Sequence, residues 1–171
     1  MKLVQEVSEK YEIDRNEVYG RHHTAHLIQT GHLLKKAGCD TNVVNAGLLH
    51  SIYDAEPMYG NSGVPLIERN AIVLMTNEQT EKLIYKYSVA LVANDYGNIL
   101  VSENSEDPYS ARALADILIC DMIEQIIWCV EKKNLFTFTD AQEHLNKLLP
   151  VAPYASKSVR KNFDLYVNKC R

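Results

Sequence analysis

The sequence lacks the long apolar segments that insert proteins into membranes. Its most apolar stretch, residues 113–130, is interrupted by Asp116, Asp121 and Glu124, whereas a membrane span needs about 20 predominantly apolar residues. The first ten residues contain no apolar core of the kind that a secretory signal requires. We therefore expect a cytoplasmic protein with no membrane partner.

Paired cysteines and an excess of basic residues are also missing. The four cysteines lie far apart and form no CxxC motif, which is typical of reduced thiols in a cytosolic protein. Lys and Arg number 18 against 22 Asp and Glu, and the net charge is −4. Because nucleic-acid-binding surfaces are normally basic, we expect no nucleic-acid partner.

No internal repeat, low-complexity tract or linker divides the chain. Its 171 residues fit one domain with a substantial core, so we predict a single domain over residues 1–171. The GxSxG, Walker A, GxGxxG and HExxH motifs are absent as well. Any catalytic site must therefore use another arrangement of residues.

What the sequence does contain is a histidine-rich segment, residues 22–56, which holds five of the six histidines. A helix is predicted over residues 22–37, with His26 on its apolar stripe and Gly38 at its end. A second helix is predicted over residues 42–53, where His50 shares one face with Gly47. Because glycine lowers helix propensity, we expect Gly47 to permit close packing of the two helices.

The spacing of this predicted hairpin brings two histidines to a similar level. His26 lies about 16 Å before the turn, and His50 lies about 12 Å after it, at 1.5 Å per residue. Histidine is the commonest metal ligand, and two core-facing imidazoles at one level suit a buried metal ion. The alternative is that each is a hydrogen-bonded packing residue of the core.

The segment HLIQTGHLLKKAGCDTNVVNAGLLHSIYD, residues 26–54, resembles the core of the HD-domain superfamily. That superfamily includes metal-dependent phosphohydrolases and iron-dependent oxygenases. The resemblance implies an all-α, HD-like bundle of about six or seven helices, with His26, His50 and Asp116 as metal ligands. Asp116, within RALADIL, also lies on an apolar stripe, where a carboxylate is costly to bury unless it is paired or binds a metal.

The sequence departs from the HD pattern at Ser51, which stands where the superfamily has aspartate. A serine hydroxyl carries no charge and is a poor ligand for a hard cation. The string HSIYDAE also resembles a family of unknown function whose members have HSxYGTE after the same hairpin. That resemblance covers about residues 20–90, including Arg69, and transfers no activity.

The resemblance implies a divalent-metal-dependent hydrolase, of a phosphate ester or nucleotide, with Mn, Fe, Zn, Ni or Mg as cofactor. Asp54 and Glu56 would handle protons, unless they are solvated carboxylates, and the substrate-binding candidates are Arg21, His22 and Arg69. The expected partner is a small-molecule substrate, with a homodimer left open.

Two alternatives remain. One is an iron-dependent HD-type oxygenase, although only His144 follows position 50 as a source of further imidazole ligands. The other is a non-catalytic binding or regulatory module with a degenerate metal site, a hypothesis that rests on Ser51.

Overall fold

The computed structural model describes residues 2–53 and 63–170. The α-helices in this part of the chain are α1 Lys2–Tyr11, α2 His23–Lys36, α3 Thr41–Leu48, α4 Arg69–Met75, α5 Glu78–Ala93, α6 Tyr96–Glu106, α7 Pro108–Ile126, α8 Phe138–Lys147 and α9 Lys157–Lys169. No strand occurs among these residues, so the predicted all-α fold is confirmed. The helices outnumber the six or seven that we expected.

Helix α7 is the centre of the bundle and packs against α2, α3, α5, α6 and α9. Asp107 caps its first turn by accepting a hydrogen bond from the Ser110 backbone N–H, and Pro108 occupies the first helical position. A π-helical stretch, Ile127–Lys132, continues it beyond Ile126. Polar as well as apolar residues on several sides of α7 are buried, which is typical of a central helix.

The predicted hairpin is formed by α2 and α3. Asp40 caps α3 by accepting hydrogen bonds from the Asn42 and Val43 backbone N–H groups. A Cβ atom at Gly47 would lie 2.0 Å from Leu34 Cδ1, which confirms that this glycine permits close packing of the two helices. Helix α3 ends at Leu48, earlier than predicted, so residues 49–51 form the turn that follows it.

Helix α6 begins in a segment whose composition is typical of a turn, because Asp, Gly and Asn, which occur at residues 95–98, are common in turns. In the structure, α5 ends at Ala93 and is followed by the C-cap Asn94, which has a left-handed φ of 51°, and α6 starts with Asp95 as its N-cap. Helix caps favour the same residue types as turns, and here Asn94 and Asp95 mark a junction between two helices.

The described part of the chain contains neither a disulfide nor a helix that could cross a membrane. All four cysteines are free. Within residues 2–53 and 63–170, no helix has the length and apolar character that a membrane crossing requires.

Candidate metal centre

Three side chains from distant parts of the chain meet at the centre of the bundle. His26 comes from the start of α2, His50 from the turn after α3, and Asp121 from the middle of α7. The Nε2 atoms of the two imidazoles are 3.2 Å apart, and Asp121 Oδ1 lies 3.1 Å from His26 Nε2 and 3.6 Å from His50 Nε2. All three residues are buried.

These separations fit a metal ion. Donor atoms bound about 2.0–2.2 Å from one ion, at tetrahedral to octahedral angles, are about 2.8–3.6 Å from one another. The three observed separations of 3.1, 3.2 and 3.6 Å form a nearly equilateral triangle of this size. Two imidazoles and one carboxylate are also a common ligand set for Zn²⁺ and for first-row transition metals.

The His50 ring is oriented so that its Nε2 atom faces the triangle. Its Nδ1 atom lies 2.8 Å from the carbonyl oxygen of Gly47, which can only accept a hydrogen bond. Nδ1 therefore carries the proton and Nε2 is left as a lone-pair donor. The Tyr87 ring contacts the imidazole in an edge-on arrangement, with centroids 4.8 Å apart, and limits its rotation.

The His26 ring is oriented by a buried carboxylate. Its Nδ1 atom donates to Glu124 Oε2 at 2.6 Å, and Arg21 donates to both Glu124 oxygens at 2.5 Å. Burial disfavours the charged form of Glu124, but the hydrogen bonds from His26 and Arg21 outweigh it and lower the pKa of this carboxyl. An imidazole whose second nitrogen donates to a carboxylate or carbonyl is the usual arrangement of a metal-binding histidine.

Asp121 is held as a carboxylate by the same network. Tyr87 Oη donates to Asp121 Oδ2 at 2.7 Å, and Gln125 Nε2 donates to Oδ1 at 2.7 Å. Burial disfavours its charged form, yet the hydrogen bond from His26 outweighs it and keeps the pKa of Asp121 well below the ordinary value. The Asp121 side chain can thus present a negatively charged oxygen to the two imidazoles.

The electrostatic field at the triangle favours a cation. Asp121 and Glu124 contribute two negative charges and Arg21 contributes one positive charge, which leaves an excess of negative charge. Burial alone would lower the pKa of His26, but its hydrogen bonds to Asp121 and Glu124 prevail and raise it to about 9. The protein without metal therefore neutralises this charge with a proton on His26, in the place that a metal ion would take.

The triangle opens into a cavity of about 130 Å³. Its wall includes His26, His50 and Asp121 together with polar side chains from α7, from α8 and from the end of α5. The latter include Asn94, Gln125, His144 and Lys147. A small molecule can thus approach the three donor atoms.

Asp116, the expected third ligand, lies away from this cavity. Its Oδ1 accepts a hydrogen bond from the Ser156 backbone N–H at 2.7 Å, and its Oδ2 accepts one from Cys39 Sγ at 3.6 Å. The ligand set is corrected to Asp121, which is five residues later on α7 and therefore projects from a different side of the helix. Because α7 is buried on several sides, its main apolar stripe does not identify the side that faces the histidines.

The expected substrate-binding residues do not meet at the cavity. The Arg21 guanidinium is buried against Glu124 and lies over the Trp128 ring, 4.5 Å from its centroid. His22 is exposed at the N-cap of α2. Arg69 pairs with Glu81 through two hydrogen bonds of 2.6 and 2.8 Å, so it ties α4 to α5.

Asp54 and Glu56, expected to handle protons, lie outside the described residues. Ser51, at the position of the HD aspartate, lines the cavity next to His50. Its Oγ lies 2.8 Å from Nε2 of the buried His23. Desolvation lowers the pKa of His23 to about 3, with repulsion from His26 and His50 adding to the effect, so His23 is neutral at physiological pH.

Sequence reasoning missed Asp121, Glu124 and Lys147. One signal was available for the first two, since both carboxylates interrupt the most apolar stretch of the chain and are costly to bury without a partner. The pairing of Glu124 with Arg21 spans 103 positions, and no local pattern reports such a contact. Lys147 joins the cavity only through the packing of α8.

Part of the chain matches a known family model. A family model described as a domain of unknown function, DUF6817, matches residues 11–91. This range covers His26, His50 and Ser51 and ends before Asp121. No match to a curated protein or to a solved structure was found.

Proposed function

We propose that this protein is a hydrolase of phosphate esters that depends on one divalent metal ion, held by His26, His50 and Asp121. The observation that carries the proposal is the triangle of donor atoms, whose sides of 3.1–3.6 Å match the spacing of ligands around one ion. The orienting contacts of both imidazoles support it, because each second nitrogen donates to an acceptor.

The choice of a phosphate ester rests on the resemblance of residues 26–54 to the HD superfamily. In such a site a divalent ion supplies Lewis-acid polarisation of the phosphoryl group and activates water as the nucleophile. Three protein donors leave further coordination positions for water and substrate, as catalytic sites require. The cavity of about 130 Å³ beside the donors provides the space for them.

The chain's own residues have separate tasks in this scheme. Glu124, fixed by Arg21, keeps the proton of His26 on Nδ1, so that Nε2 stays available. Tyr87 and Gln125 hold Asp121 in place. Asp54 and Glu56 are the proposed proton acceptor and donor, because they follow His50 closely in the sequence.

The test is hydrolysis of p-nitrophenyl phosphate by untagged protein loaded separately with Mn²⁺, Fe²⁺, Zn²⁺, Ni²⁺ or Mg²⁺. We expect turnover with at least one of these ions and a loss of at least about 100-fold in Asp121→Asn, since removing a transition-state interaction of about 2.7 kcal/mol has that effect. The matched control is Asp164→Asn, an exposed carboxylate on α9. Bound metal with no turnover of any phosphate ester would overturn the hydrolase assignment while leaving the metal site intact.

A further inference from the structure

We infer that Lys147 determines the substrate specificity of this site by binding the phosphoryl oxygens of a phosphate monoester whose hydroxylated, sugar-like alcohol lies in an adjoining groove. This inference rests on the proposed hydrolase function and names its substrate class. It is carried by the sizes of two neighbouring spaces and by the residues that line both of them.

The space beside the three donors is small. A cavity of about 150 Å³ holds one benzene molecule, so the 130 Å³ of this cavity suits a single group of phosphoryl size. The phosphorus atom of a monoester carries one alcohol group, which can stay outside the cavity. A diester carries two, and the space beside the donors is too small for a second one. The cavity size therefore favours a terminal phosphoryl group.

Lys147 lines both this cavity and a larger groove of about 580 Å³. Asn94 and Tyr96 also line both spaces, so the cavity and the groove are neighbours that share one wall. Lys147 is exposed in the last turn of α8, and no carboxylate in residues 2–53 and 63–170 forms an ion pair with it. An ammonium group on a flexible stem is a suitable point charge for phosphate.

The negative charges of the centre do not compete for this lysine. Glu124 is neutralised by Arg21, and Asp121 is directed at His26 and His50. A phosphoryl group next to the metal ion would therefore supply the negatively charged partner that Lys147 lacks. Metal and lysine would bind the same small anion from two sides.

The groove has the chemistry expected for a hydroxylated alcohol. It runs between the start of α6 and the end of α8, and its polar lining includes Asn94, Asp95 and Asn98. Asn98 Nδ2 donates to Asp95 Oδ2 at 2.8 Å. The Asn94 amide and the further lone pairs of the Asp95 carboxylate can bond to hydroxyls. The rings of Tyr96 and Tyr154 add flat surfaces of the kind that sugars contact. Val101, which is 56% exposed, forms part of the wall on α6.

Titration calorimetry on the metal-loaded protein tests the role of Lys147, with inorganic phosphate as the probe. Lys147→Gln should bind phosphate about tenfold more weakly, equal to about 1.4 kcal/mol, while its metal content stays at the wild-type value. Lys147→Arg should restore part of the affinity. Lys161→Gln, an exposed lysine on α9, is the matched control and should behave as the wild type.

The groove is tested with the phosphonate analogue of ribose 5-phosphate, which cannot be hydrolysed. Val101→Trp fills the groove, so we expect it to weaken binding of the analogue about tenfold and to leave binding of inorganic phosphate unchanged. Ser102→Trp, at the neighbouring exposed position, should change neither affinity. Equal effects of Val101→Trp on both ligands, or no effect, would overturn the groove assignment.

Failure of this inference can be told from failure of the proposed function. If the protein binds metal and hydrolyses phosphate monoesters, but Lys147→Gln binds phosphate as tightly as the wild type, the role of Lys147 is overturned and the hydrolase stands. A preference for diesters over monoesters would overturn the substrate class. If no divalent ion binds and no ester is hydrolysed, the proposed function itself is overturned.

Discussion

At the scale of single residues, the metal centre depends on which atom of each side chain is left available. Both imidazoles use Nδ1 to donate a hydrogen bond, to Glu124 from His26 and to the Gly47 carbonyl from His50. Both Nε2 atoms therefore face Asp121. A buried site that keeps the same atom of each ring free is suited to coordination, whereas packing histidines need only satisfy their hydrogen bonds.

The assignment of Asp121 in place of Asp116 can be tested by one pair of variants. Asp121→Asn should lose tight metal binding, because the amide oxygen carries no charge. Asp116→Asn should bind metal as the wild type, since this carboxyl contacts Ser156 and Cys39 instead. Metal affinity measured by competition with a chelating dye distinguishes the two. Loss of binding in Asp116→Asn, with the fold retained by circular dichroism, would contradict the assignment.

Glu124 acts on the metal through His26, and its replacement should therefore weaken binding without abolishing it. We expect Glu124→Gln to reduce metal affinity about 10- to 100-fold, the usual effect of losing a partner of a ligating histidine. The variant also leaves the buried Arg21 charge unpaired and should lower the melting temperature. Glu143→Gln, an exposed carboxylate on α8, is the control. Unchanged metal affinity in folded Glu124→Gln would show that His26 is oriented by other contacts.

The sequence could predict part of this centre. His26 and His50 were identified from their places on two predicted helices that a Gly38 turn reverses, an argument that uses only local geometry. Asp121 was not identified, because the single apolar stripe assigned to α7 placed Asp116 on its buried side. In the structure Asp116, Asp121 and Glu124 are all buried. When a helix is enclosed on several sides, periodicity no longer indicates which side faces a given partner.

At the scale of secondary-structure elements, the spacing of the two histidines depends on how closely α2 and α3 pack. A Cβ atom at Gly31 would lie 2.5 Å from Leu48 Cδ2 and 2.6 Å from Leu48 Cγ, so no side chain fits there without movement. The corresponding atom at Gly47 would meet Leu34. Gly31 on α2 and Gly47 on α3 each face the opposite helix, so the backbones of the two helices can lie close together.

Replacing Gly31 with alanine should separate the two helices. Overpacking costs about 1–3 kcal/mol, partly offset by about 1 kcal/mol of gained helix propensity. We expect Gly31→Ala to melt at a lower temperature and to bind metal more weakly, because His26 and His50 move apart with their helices. Gln29→Ala, an exposed change on α2, controls for propensity. Wild-type metal affinity in Gly31→Ala would show that the histidines do not depend on this contact.

The start of α7 is stabilised by Asp107, which accepts hydrogen bonds from the Ser110 backbone N–H and side chain and from Lys82 at 2.8 Å. Asp107→Ala removes an N-cap and should cost about 1 kcal/mol, or about 2–4 °C in melting temperature for a chain of this size. Asp164→Ala, on the exposed face of α9, is the control.

The contribution of Asp107 to the stability of the fold should decrease as the pH falls. The hydrogen bonds from Lys82 and Ser110 hold the pKa of the Asp107 carboxyl below its ordinary value of 3.8. A depressed pKa in the folded state stabilises the protein above the ordinary pKa and loses this effect as the pH falls below it. The difference in stability between wild type and Asp107→Ala should thus be constant near pH 7 and shrink below pH 3.8. A difference that grows on acidification would contradict this.

At the scale of the whole molecule, the fold class and the hairpin of α2 and α3 could be predicted, because amphipathic segments and their caps are local signals. The junction of α5 and α6 could not, since Asn94, Asp95 and Gly97 favour both turns and helix caps. The cavity and groove were also beyond prediction. They arise where α5, α6, α7 and α8 meet, and that arrangement depends on contacts between residues far apart in the chain.

A metal ion at this site should stabilise the whole fold, because its ligands come from three segments separated by up to 95 positions. At a free metal concentration 100 times the Kd, the expected gain in free energy of unfolding is about 2.7 kcal/mol. The ion should raise the melting temperature of the wild type and leave that of His50→Ala unchanged. An equal rise in His50→Ala would place the ion elsewhere.

The most direct test of the central claim is the metal content of the untagged protein, measured by mass spectrometry after loading and removal of free ions. We predict one divalent ion per chain in the wild type and almost none in His50→Ala or Asp121→Asn, with Asp116→Asn retaining its ion. Absence of metal from the wild type under every loading condition, or full occupancy in His50→Ala, would contradict the assignment of this site.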